Sequence, residues 1–316
     1  MNCYLGIDIG SVSVNIVAVD ERGEVMSGLY LRSRGRPMQV ILEGLKETGA
    51  RLGGVTVAGC GTTGSGRYLA GVMTGADVIK NEITAHAVAS SLVRPDVQTI
   101  LEIGGQDSKI IILRQGIVTD FAMNTVCAAG TGSFLDQQAA RLGIPIEEFG
   151  DLALTSENAV RIAGRCTVFA ESDMVHKQQL GHPVQDIVRG LCEALVRNYL
   201  NNVGKGKEIQ PPVLFQGGVA ANRGIVAAFG RALGMPVEVP PHHDLMGAIG
   251  AARLAREEVE RTGRTSFKGF DLCALPHRTA GFECHGCSNV CEIVEIYEGD
   301  RVIGRWGSRC GRWDVL

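Results

Sequence analysis

Short apolar runs broken by glycine dominate the first hundred or so residues. Leu5-Gly6-Ile7-Asp8-Ile9-Gly10-Ser11 leads into Val12-Ser13-Val14-Asn15-Ile16-Val17-Ala18-Val19. The pattern returns as Ile100-Leu101-Glu102-Ile103-Gly104-Gly105-Gln106-Asp107-Ser108-Lys109-Ile110-Ile111-Ile112-Leu113. Each stretch predicts an apolar strand, a turn containing glycine beside a carboxylate, and a β-branched second strand. The turn of such a hairpin gathers backbone N–H groups at one point. Its recurrence predicts two related lobes facing a cleft. Between the hairpins, Val55 to Cys60 predicts a short strand ending in a loop rich in glycine (Gly59, Gly61, Gly64, Gly66), and Glu82 to Ala89 predicts a helix. Further on, Asp186 is placed to cap a helix whose apolar face is Ile187, Val188, Leu191, Leu195, Val196, Tyr199 and Leu200. Val213-Leu214-Phe215 predicts a strand running into Gly217-Gly218, and a last helix is expected from about Gly247 to Glu260. Alternating strands and helices make the fold class α/β. The expected division is a first lobe over 1–95, a second over 96–264 whose last helix is free to pack back on the first, and a small appended module over 265–316.

Composition narrows the reading. A chain of 316 residues is about twice the ~150-residue prior for one domain, which agrees with two lobes. A hydrophobic share of 45% against 21% charged is ordinary for a folded protein. A net charge of −3 and an aromatic share of 5% argue against a nucleic-acid binder. No apolar run is long enough to span a membrane and no basic leader precedes the first strand, so a cytoplasmic protein is expected. Ten cysteines without an export signal point to reduced thiols with a metal or redox role.

Three turns that follow strands carry candidate nucleotide chemistry. Asp8, Gly10 and Ser11 form the first, Gly104, Gly105, Gln106 and Asp107 the second, and Gly217, Gly218 and Asn222 the third. Glycine lets backbone approach a phosphate, and Asp8 and Asp107 are candidate catalytic carboxylates that hold Mg²⁺ through water. The pattern Gly-x-x-x-x-Gly-Lys-Ser/Thr is absent, and the first turn lacks Gly-x-Gly-x-x-Gly, which disfavours both the P-loop and dinucleotide folds. The trio resembles the two phosphate motifs and the adenosine motif of the actin, sugar-kinase and Hsp70-like ATPases. That resemblance implies two actin-like (ribonuclease H-like) lobes gripping ATP.

Two cysteines stand in similar surroundings. Cys127 precedes Gly130, Thr131 and Gly132, further candidate nucleotide contacts that open a helix; Cys166 precedes a helical stretch ending near Leu180. A helix N-terminus favours a thiolate and an anionic cluster, although a free cysteine is also a common small core residue. Two cysteines are half of what a 4Fe–4S cluster takes, so two chains would supply the set. The segments Cys127-Ala-Ala-Gly-Thr-Gly and Cys166-Thr-Val-Phe-Ala-Glu-Ser closely resemble the ATP-dependent activators (component A) of 2-hydroxyacyl-CoA dehydratases, a family that includes the ATPase subunits of benzoyl-CoA reductase. The similarity spans about residues 4–256. It implies a homodimer with one 4Fe–4S cluster on Cys127 and Cys166 of both chains, oxygen-sensitive and fit for anaerobic life. ATP hydrolysis would drive an electron to a partner dehydratase, benzoyl-CoA-type reductase or double-cubane cluster protein, with ferredoxin or flavodoxin as donor. Members of that family usually carry Thr at the position of Val12, Lys at that of Asn15 and Asp at that of Glu102. A small-molecule kinase on the same fold and a nucleotide-gated metal-binding regulator are the competing readings, and neither accounts as well for the paired cysteines.

Five of the ten cysteines fall between 273 and 310. Cys284-x-x-Cys287-x-x-x-Cys291 followed by Cys310 has four-thiolate spacing, suited to zinc or to a second cluster, with Cys273 a spare ligand. Cys3, Cys60 and Cys192 lie in strand or helix patterns and are expected in the core. Glu171 and Asp136 are expected to cap helices, with contact to the partner as the alternative, and the histidines at 176, 182, 242 and 243 to have surface or packing roles.

Overall fold

The computed structural model describes residues 2–124, 127–272 and 277–315. The chain divides into two compact units, one made of residues 1–88 with 247–316 and the other of 89–246.

In the first unit, β1 (Asn2–Ile9), β2 (Ser13–Asp20) and β3 (Val25–Arg32) form an antiparallel meander. Helix α1 (Pro37–Leu52) returns the chain to β4 (Thr56–Gly64), which runs parallel to β1. After α2 (Arg67–Thr74), β5 (Val78–Ile79) completes the sheet order β3-β2-β1-β4-β5, and α3 (Glu82–Val93) follows. The second unit repeats the plan. Strands β6 (Thr99–Ile103), β7 (Ser108–Arg114) and β8 (Ile117–Asn124) form the meander. Then come α4 (Gly132–Leu142), α5 (Ile146–Leu154), α6 (Thr167–Gln179) and α7 (Val184–Asn202). Strand β9 (Val213–Gln216) lies parallel to β6, and after α8 (Arg223–Leu233), β10 (Val237–Glu238) completes the order β10-β9-β6-β7-β8. The two sheets thus have one topology, with both expected hairpins in equivalent places.

Helix α9 (Met246–Thr262) lies within the first unit from Gly247 on, and glycines explain how. A Cβ at Gly6 would fall 1.8 Å from the Ala248 carbonyl oxygen, and one at Gly61 2.2 Å from that of Ala251. The expected glycine loop after Cys60 is therefore strand: β4 runs on to Gly64 because its glycines accept helix backbone directly. The other helix start also differs from expectation. Helix α7 begins at Val184 after Pro183, so Asp186 stands in its first turn, where its carboxylate accepts from the Ser156 hydroxyl at 2.6 Å.

The C-terminal segment is a three-stranded antiparallel sheet, β11 (His277–Glu283), β12 (Glu292–Glu298) and β13 (Arg301–Trp306). It packs on α2: Ile296 is fully buried with Val72 and Met73, and Trp306 stacks on Tyr68 with ring centres 6.2 Å apart. Ser266 N–H and the Thr265 hydroxyl both bond to the Asp77 carboxylate, at 2.6 and 2.8 Å, tying the connecting segment down. These contacts join the C-terminal segment to the first unit, as the glycine contacts of α9 join that helix to it. Among the described residues no helix is long and apolar enough to cross a membrane.

Candidate functional site

In the first unit, Asp8 is the penultimate residue of β1, directly opposite Asn15 on β2. The Gly10 N–H donates to the Ser13 carbonyl at 2.9 Å, which closes the turn around Ser11. Gly247, at the start of α9, leaves room for the carboxylate: a Cβ there would fall 2.1 Å from Asp8 Oδ2 and 3.4 Å from His86 Nε2. His86 is buried, and no sequence signal pointed to it.

The second unit holds the equivalent hairpin with a different pairing. Glu102 faces Lys109 across β6 and β7, as Asp8 faces Asn15 in the first. Lys109 Nζ lies 2.9 Å from Glu102 Oε2 and 2.9 Å from Asp107 Oδ2, with its side chain only 2% exposed. The turn closes through the Gly104 N–H and the Asp107 carbonyl at 3.1 Å. Gly217, at φ 90°, would place a Cβ 2.7 Å from Glu102 Oε1, so only glycine lets this third turn approach the hairpin. Its N–H donates to the His243 carbonyl at 2.8 Å, and His243 Nδ1 lies 3.0 Å from the Gly217 carbonyl oxygen. A single 3₁₀ turn over Gly218–Ala221 follows. Asn222 then caps α8, its side chain accepting from the Ile225 N–H at 3.0 Å.

The glycines near Cys127 are tied to the second hairpin. The Gly132 N–H donates to the Gly104 carbonyl at 2.9 Å, and the Ser133 N–H and hydroxyl to that of Gly105 at 2.8 and 2.6 Å. The start of α4 therefore holds the phosphate-type turn, and the 3₁₀ turn Ala128–Gly130 and Thr131 connect it to Cys127. Asn124 fixes the cysteine backbone, accepting from its N–H and donating to its carbonyl, each at 2.9 Å. Cys166 is the residue before the first turn of α6, in extended conformation. The loops of the two cysteines touch: Cys127 Sγ lies 3.9 Å from the Arg165 carbonyl oxygen. Asn198 of α7, buried and missed in the sequence because it reads as an interruption of an apolar face, spans both loops. Its amide nitrogen is 2.5 Å from the Gly164 carbonyl oxygen and 3.7 Å from Cys127 Sγ, and a Cβ at Gly130 would fall 2.7 Å from its Oδ1.

Cys127 and Cys166 are both partly exposed, and neither side chain caps a helix. Beside Cys166 the surface is apolar and basic. Val168 and Phe169 are 67% and 66% exposed, and a cavity of about 670 Å³ has Arg161, Arg165, Lys177 and Arg197 in its lining against one carboxylate, Asp173. Glu171 does not cap α6; it pairs with Arg141 of α4 at 2.6 Å, linking the helices that follow the two cysteines. Burial pushes the Cys3 thiol up to about 11 and those of Cys60 and Cys192 to about 12, as suits inert core thiols.

Cys284, Cys287 and Cys291 lie in the loop joining β11 to β12, and Cys310 lies beyond β13. Cys273 lies outside the described residues. Among the described residues no three His, Cys, Asp or Glu side chains already stand in metal-binding arrangement.

Comparison with known proteins supplies the relationship. The chain is 33% identical over 272 residues to the (R)-2-hydroxyglutaryl-CoA dehydratase activating ATPase of Acidaminococcus fermentans, covering 83% of this chain and 100% of that one. The crystal structure of the component A of that organism's (R)-2-hydroxyglutaryl-CoA dehydratase superposes with a TM-score of 0.72 at 31% identity, covering 82% of this chain and 100% of that one. The activator of the 2-hydroxyisocaproyl-CoA dehydratase from Clostridium difficile, solved with bound ADPNP, gives 0.76 at 31% identity, covering 83% and 97%. The two-lobed, actin-like α/β class expected from the sequence agrees with these structures. The BadF/BadG/BcrA/BcrD ATPase family matches residues 5–255, and the chain belongs to it.

Proposed function

We propose that this chain is an ATP-dependent reductive activator of a partner metalloenzyme, with Cys127 and Cys166 of two copies holding one 4Fe–4S cluster between them. The donor set fits. Two partly exposed cysteines, distant in sequence, lie on adjoining loops, and two copies of the chain would supply the four thiolates such a cluster takes. When bound, the cluster supplies one-electron chemistry at low potential. The observation that carries the reading is the hydrogen-bonded path inside the second unit. The Gly104–Gly105 turn is bonded to the start of α4, α4 follows Cys127, and Asn198 joins the Cys127 loop to that of Cys166. A phosphate contact that shifts Gly104 or Gly105 therefore moves the backbone around both thiols.

The remaining residues take ordinary roles in this reading. In the first unit Asp8 would serve a nucleotide-bound Mg²⁺ and the backbone at Gly10 and Ser11 a phosphate; in the second, Asp107 and the backbone at Gly105 and Gln106 would take the same roles. Gly217, Gly218 and Asn222 border the adenosine. Val168 and Phe169 are covered by the second copy. The basic cavity beside Cys166 suits an acidic donor such as ferredoxin or flavodoxin. The partner is a 2-hydroxyacyl-CoA dehydratase, the class of enzyme that two similar proteins activate, or a benzoyl-CoA-type reductase or double-cubane cluster protein.

Anaerobic purification tests this. The expected result is a coloured, iron-containing dimer with ATPase activity that loses colour and iron in Cys127→Ser and in Cys166→Ser. A colourless protein that phosphorylates a sugar, or iron that survives both substitutions, overturns it.

A further inference from the structure

The C-terminal sheet lies outside the family match, which ends at residue 255, and the Acidaminococcus relative is covered to its full length without it. Its chemistry is therefore its own. We propose that this segment holds a single zinc ion on the thiolates of Cys284, Cys287, Cys291 and Cys310.

Topology brings these residues to one end of the sheet. The first three occupy the loop between β11 and β12, which closes through the Cys284 N–H and the Cys291 carbonyl at 2.8 Å and turns again through the Val290 N–H and the Cys287 carbonyl at 3.3 Å. Cys310 lies in the tail after β13, and the backbone bonds between Arg305 and Val315, 2.8 Å each way, fold that tail back. The two loops touch on both sides of Cys310. Arg309 Nη1 is 3.4 Å from Asn289 Oδ1, and a Cβ at Gly286 would fall 3.4 Å from Arg312 Nη1. The Trp313 indole N–H donates to Cys284 Sγ at 3.2 Å, and its ring packs edge-on against Phe282 at 5.1 Å. Cys310 therefore sits between two residues that reach the three-cysteine loop.

The surroundings suit a thiolate-bound dication. Four thiolates and one Zn²⁺ carry a net charge of −2, and the Arg309 and Arg312 guanidinium groups stand beside the loop that would carry it. The Trp313 indole N–H donates to Cys284 sulfur, the kind of outer hydrogen bonding that orients thiolate ligands. The sulfurs share this end of the sheet without yet standing in ligating arrangement, and the two loops that carry them are in contact. A tight loop closed at its base suits one tetrahedral ion, with Zn–S bonds of about 2.3 Å, better than a four-iron cube. The body of the sheet gives a reason for a metal. Ile296 and Trp306 fasten it to α2, whereas residues 284–291 are partly or fully exposed and would gain order from ligation.

The full chain, purified without added metal, is assayed for zinc and iron together. The expected result is equimolar zinc that is lost in the double variant Cys287→Ser/Cys310→Ser and kept in Cys127→Ser/Cys166→Ser. Cys287 and Cys310 are exposed, so their substitution removes little packing; unchanged far-UV circular dichroism and ATP binding confirm the fold. A second measurement needs no variant: the metal-stripped chain titrated with Co²⁺ should give the intense visible bands of tetrahedral cobalt thiolate. Absence of zinc, iron that follows the C-terminal cysteines, or an octahedral cobalt spectrum overturns the assignment. Because zinc and iron are counted separately, failure here is distinguishable from failure of the activator reading.

Discussion

Lys109 shows how much chemistry one side chain can concentrate. It is almost wholly buried, and its ammonium is shared between Glu102 and Asp107, so it holds two carboxylates of the second hairpin in place. Removing one partner of a buried pair leaves the other charge uncompensated at about 3–5 kcal/mol. Lys109→Met should therefore lower the unfolding free energy by that order in urea titrations, and Lys109→Met/Glu102→Gln should recover part of the loss. Equal stability of wild type and Lys109→Met would mean the carboxylates are compensated otherwise. Asn198 acts at a different point, since it touches both cysteine loops without being a ligand. Asn198→Ala is expected to reduce iron per chain several-fold while leaving ATP binding unchanged, and Asn198→Asp to retain part of the iron. A loss of ATP binding with iron intact would reverse the assignment. Neither residue was legible from sequence for the same reason: Lys109 reads as a polar position in a strand and Asn198 as a break in a helix face. Only the register of β6 with β7, and the approach of α7 to two loops, shows what they do.

Strands β1 and β4 and helix α9 show why a local reading can mistake an element. The glycines at 59, 61, 64 and 66 read as a loop because glycine is poor in strands and common in turns. The long-range packing of α9, which no window of sequence contains, turns that weakness into a requirement. Gly61→Ala places a methyl 2.2 Å from the Ala251 carbonyl oxygen and is expected to cost at least ~2 kcal/mol through displaced backbone. Gly53→Ala, in the left-handed cap after α1 with open space around it, is expected to cost about 1 kcal/mol. Equal shifts in melting temperature for the two would show that α9 moves aside freely. The C-terminal sheet carries a prediction of its own. The Tyr297 hydroxyl first, and the Arg305 guanidinium after it, hold the Glu295 carboxyl below its ordinary range. A carboxylate held low stabilises the fold above its ordinary range, and that contribution is lost as pH falls through the range and below it. Both tryptophans of the chain, Trp306 and Trp313, lie in this segment, so tryptophan fluorescence reports on it alone. An acid titration should change emission as Glu295 protonates, and Glu295→Gln should remove that step; a step that survives belongs to another group.

At the scale of the molecule, the repeat of one sheet plan was legible because each hairpin carries its own signature of apolar run, glycine and carboxylate. What distinguishes the halves is an insertion: α4, α5 and α6 stand between β8 and α7, where the first unit has a single helix between β3 and β4. That insertion carries both paired cysteines, so the second unit combines a phosphate-type turn with candidate cluster ligands while the first keeps the simpler plan. An insertion of this kind leaves its own function incomplete within one chain. Two thiols are half a ligand set, and Val168 and Phe169 next to Cys166 are about two-thirds exposed, more apolar surface than an isolated helix start ordinarily offers. Under the proposed function a second copy, meeting the first along the start of α6, would make good both shortfalls. Phe169→Asp sets these ideas against each other without touching a ligand. A carboxylate there would face its symmetry mate across an apolar contact, so the variant should elute as a monomer under anaerobic conditions, carry little iron although Cys127 and Cys166 remain, and bind ATP as before. Light scattering and iron content on the same fractions decide it. A dimer with full iron would place the twofold contact elsewhere, and a monomer with full iron would mean that one chain completes the ligand set alone.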